Sequence, residues 1–193
     1  MHRNQFMSML ATATFAGALV AGGCASAATK APAAATASAR ATAATSGTAN
    51  IMIYSVNTDG AYLHAIVSGV IGDYGPAVTI YPNGTVDPQH NSEMELRLIR
   101  GSFRLSIAAL DKAFIQVTTH EPIYRKTCSD LMSVTRSTPI VAGSGTGAYR
   151  GIRGSFSVTL TSNEVQPRPC PPNGPSAFRA QLLTAAGSGT VSF

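Results

Sequence analysis

Five glycines fall within residues 143–154, and the segment Gly143-Ser-Gly-Thr-Gly-Ala-Tyr149-Arg-Gly-Ile-Arg-Gly154 runs directly into the alternating stretch Ser155-Phe-Ser-Val-Thr-Leu160-Thr. Glycine at this density serves sharp turns, bulges and close approach of one backbone to another. A helix after such a loop would suggest a phosphate cradle. Residues 155–161 instead alternate polar and apolar with period two, the pattern of a half-buried strand. The dinucleotide-binding spacing is also missed, because Arg150 stands where the third glycine would be.

The rest of the chain repeats the strand signal. Short apolar or alternating runs occur at 51–56, 62–73, 77–81, 94–99, 103–107, 131–135, 139–142, 156–161, 177–183 and 190–193. They are separated by turn residues such as Asn57-Thr-Asp-Gly60, Gly75-Pro76 and Pro82-Asn-Gly84. Gly69 and Gly72 are expected to bend a single strand over 62–73, and Gly101 marks either a turn or a kink in one strand over 94–107. Residues 108–114 have room for a helical turn, while 115–118 read equally as strand. About eight strands without a long helix suit an all-β, antiparallel, eight-stranded closed barrel, with a two-sheet β-sandwich as the alternative.

One domain is expected, over 51–193, preceded by two segments of different character. Residues 1–27 have the anatomy of an export signal: His2 and Arg3, an apolar run over 6–20, then small residues. Ala25-Ser-Ala27 fits ordinary signal cleavage, whereas Val20-Ala-Gly-Gly-Cys24 resembles a bacterial lipobox that would lipidate Cys24, although Ala21 replaces the usual leucine. Residues 28–50 are almost entirely Ala, Thr and Ser and are expected to form a disordered tether. The expected location is therefore bacterial and either secreted or at the cell envelope, periplasmic or lipid-anchored.

Three cysteines leave one odd in an oxidising compartment. Cys24 is lost with the signal or consumed by lipidation, which leaves Cys128 and Cys170 to form a disulfide across the glycine-rich hairpin, worth ~3 to 4 kcal/mol. Lys and Arg total 14 against 9 Asp and Glu, but beyond residue 50 the balance is 11 against 9, which makes no electrostatic case for nucleic acid. No CxxC and no spaced histidine pair suggests a metal, and no hydrolase or P-loop motif is present. Neither a metal nor a cofactor is expected.

The glycine-rich segment with its exit strand resembles the G-T-G-x-Y-x-G-x-x-G stretch of bacterial proteins in the allene oxide cyclase and dirigent superfamily. Gly69-Val-Ile-Gly-Asp73-Tyr-Gly75, Leu98-Ile-Arg-Gly101-Ser-Phe103 and Gly187-Ser-Gly-Thr-Val-Ser-Phe193 extend the resemblance across 51–193. It implies an antiparallel barrel around an apolar cavity, often assembled as a homotrimer. In that superfamily the cavity holds a reactive apolar molecule in one conformation.

The candidate pocket or rim residues are His64, Asp73, Tyr54 and Tyr149. His64 shares a strand face with Tyr62, Ile66 and Ser68 and would place a polar group in the barrel. Asp73, before Tyr74-Gly75, would sit at a rim, where turn capping is its ordinary role. Tyr149 lies in the glycine-rich turn, where packing over neighbouring glycines is the ordinary role, and Tyr54 lies in the first strand. Asp87-Pro-Gln-His90 and His120-Glu121 pair carboxylates with histidines in loop-like sequence. The expected function is an exported barrel that binds or orients a small apolar molecule, lipid-like or phenolic, with membrane contact only through a lipid anchor. The alternatives are a cofactor-free cyclase or isomerase, and a structural envelope module whose core is filled with side chains.

Overall fold

A computed structural model describes residues 45–58, 60, 62–86, 92–119, 123–170 and 178–193. The signal at 1–27, Cys24, the tether up to residue 44, Asp87, His90, His120 and Glu121 lie outside the described residues. The strands are β1 (Ser46–Val56), β2 (Leu63–Gly69), β3 (Asp73–Ile80), β4 (Glu93–Leu98), β5 (Gly101–Ser106), β6 (Ser129–Pro139), β7 (Arg153–Val165) and β8 (Ala180–Ser192). Among the described residues one helix, α1 (Ala108–Thr118), lies between β5 and β6, and a single 3-10 turn (Gly147–Tyr149) lies between β6 and β7. β1 begins at Ser46, five residues inside the stretch expected to be tether.

All strand pairs are antiparallel, in the order β5-β4-β3-β2-β1-β8-β7-β6. Two meanders, β1 to β5 and β6 to β8, join where β8 pairs with β1 along its length. The expected closed barrel is not formed, nor is a two-sheet sandwich: one sheet curls into an open half-barrel with β5 and β6 as its edges. Across that seam runs a single bridge, Leu105 to Ile140, supported by the Val141 N–H donating to the Arg104 carbonyl at 2.9 Å. β5 has six residues against eleven in β6, so it cannot pair along the whole edge. Pro139 offers no N–H to a ladder, and α1 packs against β6 instead.

Several segments differ from the pattern read along the chain. The strand expected over 62–73 is divided at Val70, Ile71 and Gly72, and β3 continues through Gly75-Pro76. β4 and β5 form a hairpin turning at Ile99 and Arg100, rather than one kinked strand. The separate runs at 131–135 and 139–142, and at 177–183 and 190–193, fall within or beside the single long strands β6 and β8.

Alternation explains the core. Ile51, Ile53, Ala65, Val67, Leu96, Phe103, Leu105, Phe156, Val158 and Val191 point to the concave side and are buried. Each large side chain among them contributes roughly 1.5–3 kcal/mol of apolar burial. α1 adds Leu110 and Ala113.

The glycine-rich loop does what its composition suggests. Gly147 is left-handed (φ 55°), and a Cβ there would collide with the Arg100 carbonyl and the Gly101 backbone. Only glycine lets this loop lie backbone to backbone on the β4–β5 turn, where the Ala148 N–H donates to the Arg100 carbonyl at 2.9 Å. The expected disulfide is present: Cys128 and Cys170 are bonded, with Cα atoms 5.3 Å apart and a sequence separation of 42.

Candidate functional site

The concave face and α1 border a half-open cavity of about 220 Å³. Its walls are mostly apolar: Ile53 and Leu63 from β1 and β2, Leu105 from β5, Leu110 and Phe114 from α1, and Val158, Leu160 and Leu183 from β7 and β8. One end is polar, lined by Glu164, Gln181 and Asp111.

The polar end follows from strand parity. Phe156, Val158 and Leu160 face inward, so two further steps of period two carry Ser162 and Glu164 to the same side. Register then places Asp130 of β6 and Gln181 of β8 opposite Glu164 on either side. Exposure is 6% for Asp130, 7% for Glu164 and 4% for Gln181. The Glu164 Oε1 accepts from Ser162 Oγ at 3.0 Å and from Gln181 Nε2 at 2.8 Å. Just past β7, Gln166 is buried and donates Nε2 to Asp130 Oδ2 at 3.0 Å. The disulfide sits beside this cluster, and the Gln166 N–H donates to the Cys128 carbonyl at 2.7 Å.

Ser162 donates to a carboxylate, and no described imidazole stands ready to take up its proton, so among the described residues it is held in place rather than activated. Among the described residues no group of three His, Cys, Asp or Glu is placed to hold a metal ion. The arrangement is suited to binding: an apolar wall with hydrogen-bond acceptors at one end.

At the opposite end of the strands lies a second polar cluster. Asp73 opens β3, and its Oδ2 accepts from the Tyr149 hydroxyl and from the Arg100 N–H at 3.0 Å, while its Oδ1 accepts from the Tyr74 N–H at 2.8 Å. The Arg100 guanidinium lies 3.5 Å away and also donates to the carbonyls of Ile71 and Gly72. Tyr149 is 1% exposed and meets Phe103 and Phe193 edge to face. Burial pushes the Asp73 carboxyl up, but hydrogen bonds from Tyr149 and two backbone N–H groups, with the Arg100 charge, outweigh it and hold the group below its ordinary 3.8. Burial, then the hydrogen bond to Asp73, pushes Tyr149 up to about 12.

Of the four residues expected at a pocket or rim, the structure brings Asp73 and Tyr149 together; neither lines the concave cavity, whereas Tyr54, His64 and Asp73 line a second, shallower pocket along β2 and β3. His64 and Tyr54 lie on the convex face, opposite to the inward placement expected for His64. Leu63, Ala65 and Val67 take the concave side, and His64 stacks on Tyr54 with ring centroids 5.5 Å apart. Both faces of β2 carry apolar residues, so Tyr62 and Ile66 point to the wrong face; Tyr62 is 73% exposed and Ile66 51%.

Glu164, Gln181, Asp130 and Asp111 are not among the residues singled out from sequence. Parity extended from Phe156 would have found Glu164, because nothing interrupts the alternation before Val165. No family model matches the chain, and neither a curated protein nor a solved structure is found to be similar to it.

Proposed function

We propose that the protein is an exported half-barrel that holds a small, largely apolar molecule with one polar end in its concave cavity. The observation that carries this reading is the cavity itself: about 220 Å³, walled by aliphatic and aromatic side chains and acidic at one end. A module with a filled core would leave no space of this size. Cavities of ~150 Å³ admit benzene and drug-sized pockets run to ~300–1,000 Å³, so a single ring with a short side chain, or a short alkyl chain, suits the space. That size favours a phenolic or similarly compact ligand over a long acyl chain.

Export is supported by the apolar run after Arg3 and by the disulfide, a bond that persists in oxidising compartments. The intact mass of protein recovered from its own envelope discriminates the two routes, since lipidation at Cys24 and cleavage after Ala27 leave different termini.

The binding test is a cavity-filling substitution. Ethylbenzene is titrated against the purified protein by calorimetry, and the titration is repeated with Leu160→Trp. Saturable binding that the larger side chain removes is expected; heats indistinguishable from buffer in the parent protein sink the reading.

A further inference from the structure

Glu164 lines the polar end of the cavity, and no Lys, Arg or His is among the described residues that line it. Glu164 is 93% buried by its 7% exposure, its Oε1 already takes two donors, and no described residue donates to Oε2. Asp130 stands opposite it in the β6–β7 register. Gln166 has spent its Nε2 on Asp130, which leaves its buried Oε1 without a donor among the described residues.

A carboxylate accepts and never donates when ionised. A ligand carboxylate would add a further like charge, while a ketone or ether would bring only another acceptor. A protonated amine supplies several donors and a compensating charge, and charge-assisted hydrogen bonds are the stronger kind. Resting on the binding reading above, we propose that the cavity selects a small apolar amine, a single ring or short chain ending in an ammonium group. The ammonium would sit against Glu164 Oε2 and the apolar body against Leu160, Leu105 and Phe114.

Four probes that share one body separate this inference from the reading beneath it: 2-phenylethylamine, 2-phenylethanol, 3-phenylpropionate and ethylbenzene, each titrated into the disulfide-bonded protein. The amine is expected to bind at least about tenfold tighter than ethylbenzene, with the carboxylate weakest. Glu164→Gln is expected to remove that advantage, so that the amine binds no tighter than ethylbenzene does in the same variant. Equal affinity for amine, hydrocarbon and carboxylate would overturn the selectivity while the cavity reading stands. Binding of no probe, ethylbenzene included, overturns both. If Glu164→Gln does not fold, the ranking of amine over carboxylate in the parent protein decides the matter alone.

Discussion

Asp73 and Glu164 sit at opposite ends of the same curled sheet, each more than nine-tenths buried, yet they meet opposite kinds of neighbour. Asp73 is surrounded by donors: a tyrosine hydroxyl, two backbone N–H groups and a guanidinium. Glu164 receives two donors on one oxygen and faces a second carboxylate across the strand pair. A buried charge with its hydrogen-bonding capacity filled fixes three turns to one another. A buried charge with spare acceptor capacity beside a void costs stability and is open to a ligand. The first end is the lock of the fold, and the second is where binding is expected.

The largest effect is expected at the lock. Tyr149→Ala empties a site among Phe103, Phe193 and the glycine loop and strips Asp73 of its hydroxyl donor; a loss of about 5 kcal/mol is expected in denaturant unfolding. The cavity end gives no counterpart of that size, because its centre is already space. Tyr149→Phe keeps the ring and isolates the hydroxyl. With Tyr149 raised from 10.0 to about 12 in the fold, its contribution is full below pH 10 and fades as pH rises through about 12. The parent protein should therefore lose stability relative to Tyr149→Phe across that alkaline window, and the difference between their phenolate absorbance titrations should have its midpoint near 12.

The two ends also differ in how far the sequence exposes them. Asp73 and Tyr149 could both be singled out because each lies in a glycine-marked turn, but their meeting across 76 residues depends on how the turns stack. The open seam was hidden for a related reason. Strand count and alternation suit a closed barrel, whereas closure depends on the matching lengths of β5 and β6 and on what fills the mismatch. The filler is α1, whose start carries no signal, since Ile107 precedes it with no capping side chain. Its Ile115-Gln-Val-Thr end is β-branched and reads as strand until packing against β6 decides otherwise. Glu164 was legible in principle from β7 parity. The partners that give it meaning, Gln181 and Asp130, arrive only through register with two other strands.

A smaller effect of defined sign is expected from Asp73→Asn. An amide offers one acceptor oxygen, so it cannot serve both the Tyr74 N–H on one side and the Tyr149 hydroxyl and Arg100 N–H on the other. A loss of about 2 kcal/mol at neutral pH is expected. Because the folded Asp73 lies below its ordinary 3.8, its contribution is present above that pH and is lost as pH falls through the lower folded value. The gap between parent and variant should thus be widest at neutral pH and narrow in acid, as read by urea unfolding at stepped pH. A constant gap would assign the loss to packing rather than to the charge.

The smallest effect is the most discriminating. Glu164→Gln is the same carboxylate-to-amide change at the other end, and here the single remaining oxygen can keep both donors, from Ser162 and Gln181. The new amide group replaces an oxygen that takes no donor from a described residue, and the charge opposite Asp130 in the β6–β7 register is removed. Such cross-strand pairs are worth ~0.2–1 kcal/mol, and stability in the ligand-free protein should hold or rise by no more than about that amount. Denaturant unfolding of both amide variants side by side gives the comparison directly. A loss at Glu164 as large as that at Asp73 would make both ends structural and remove the distinction between lock and site. A gain together with lost amine binding would mean that the fold retains Glu164 at some cost in stability, as expected for a residue kept for what it binds.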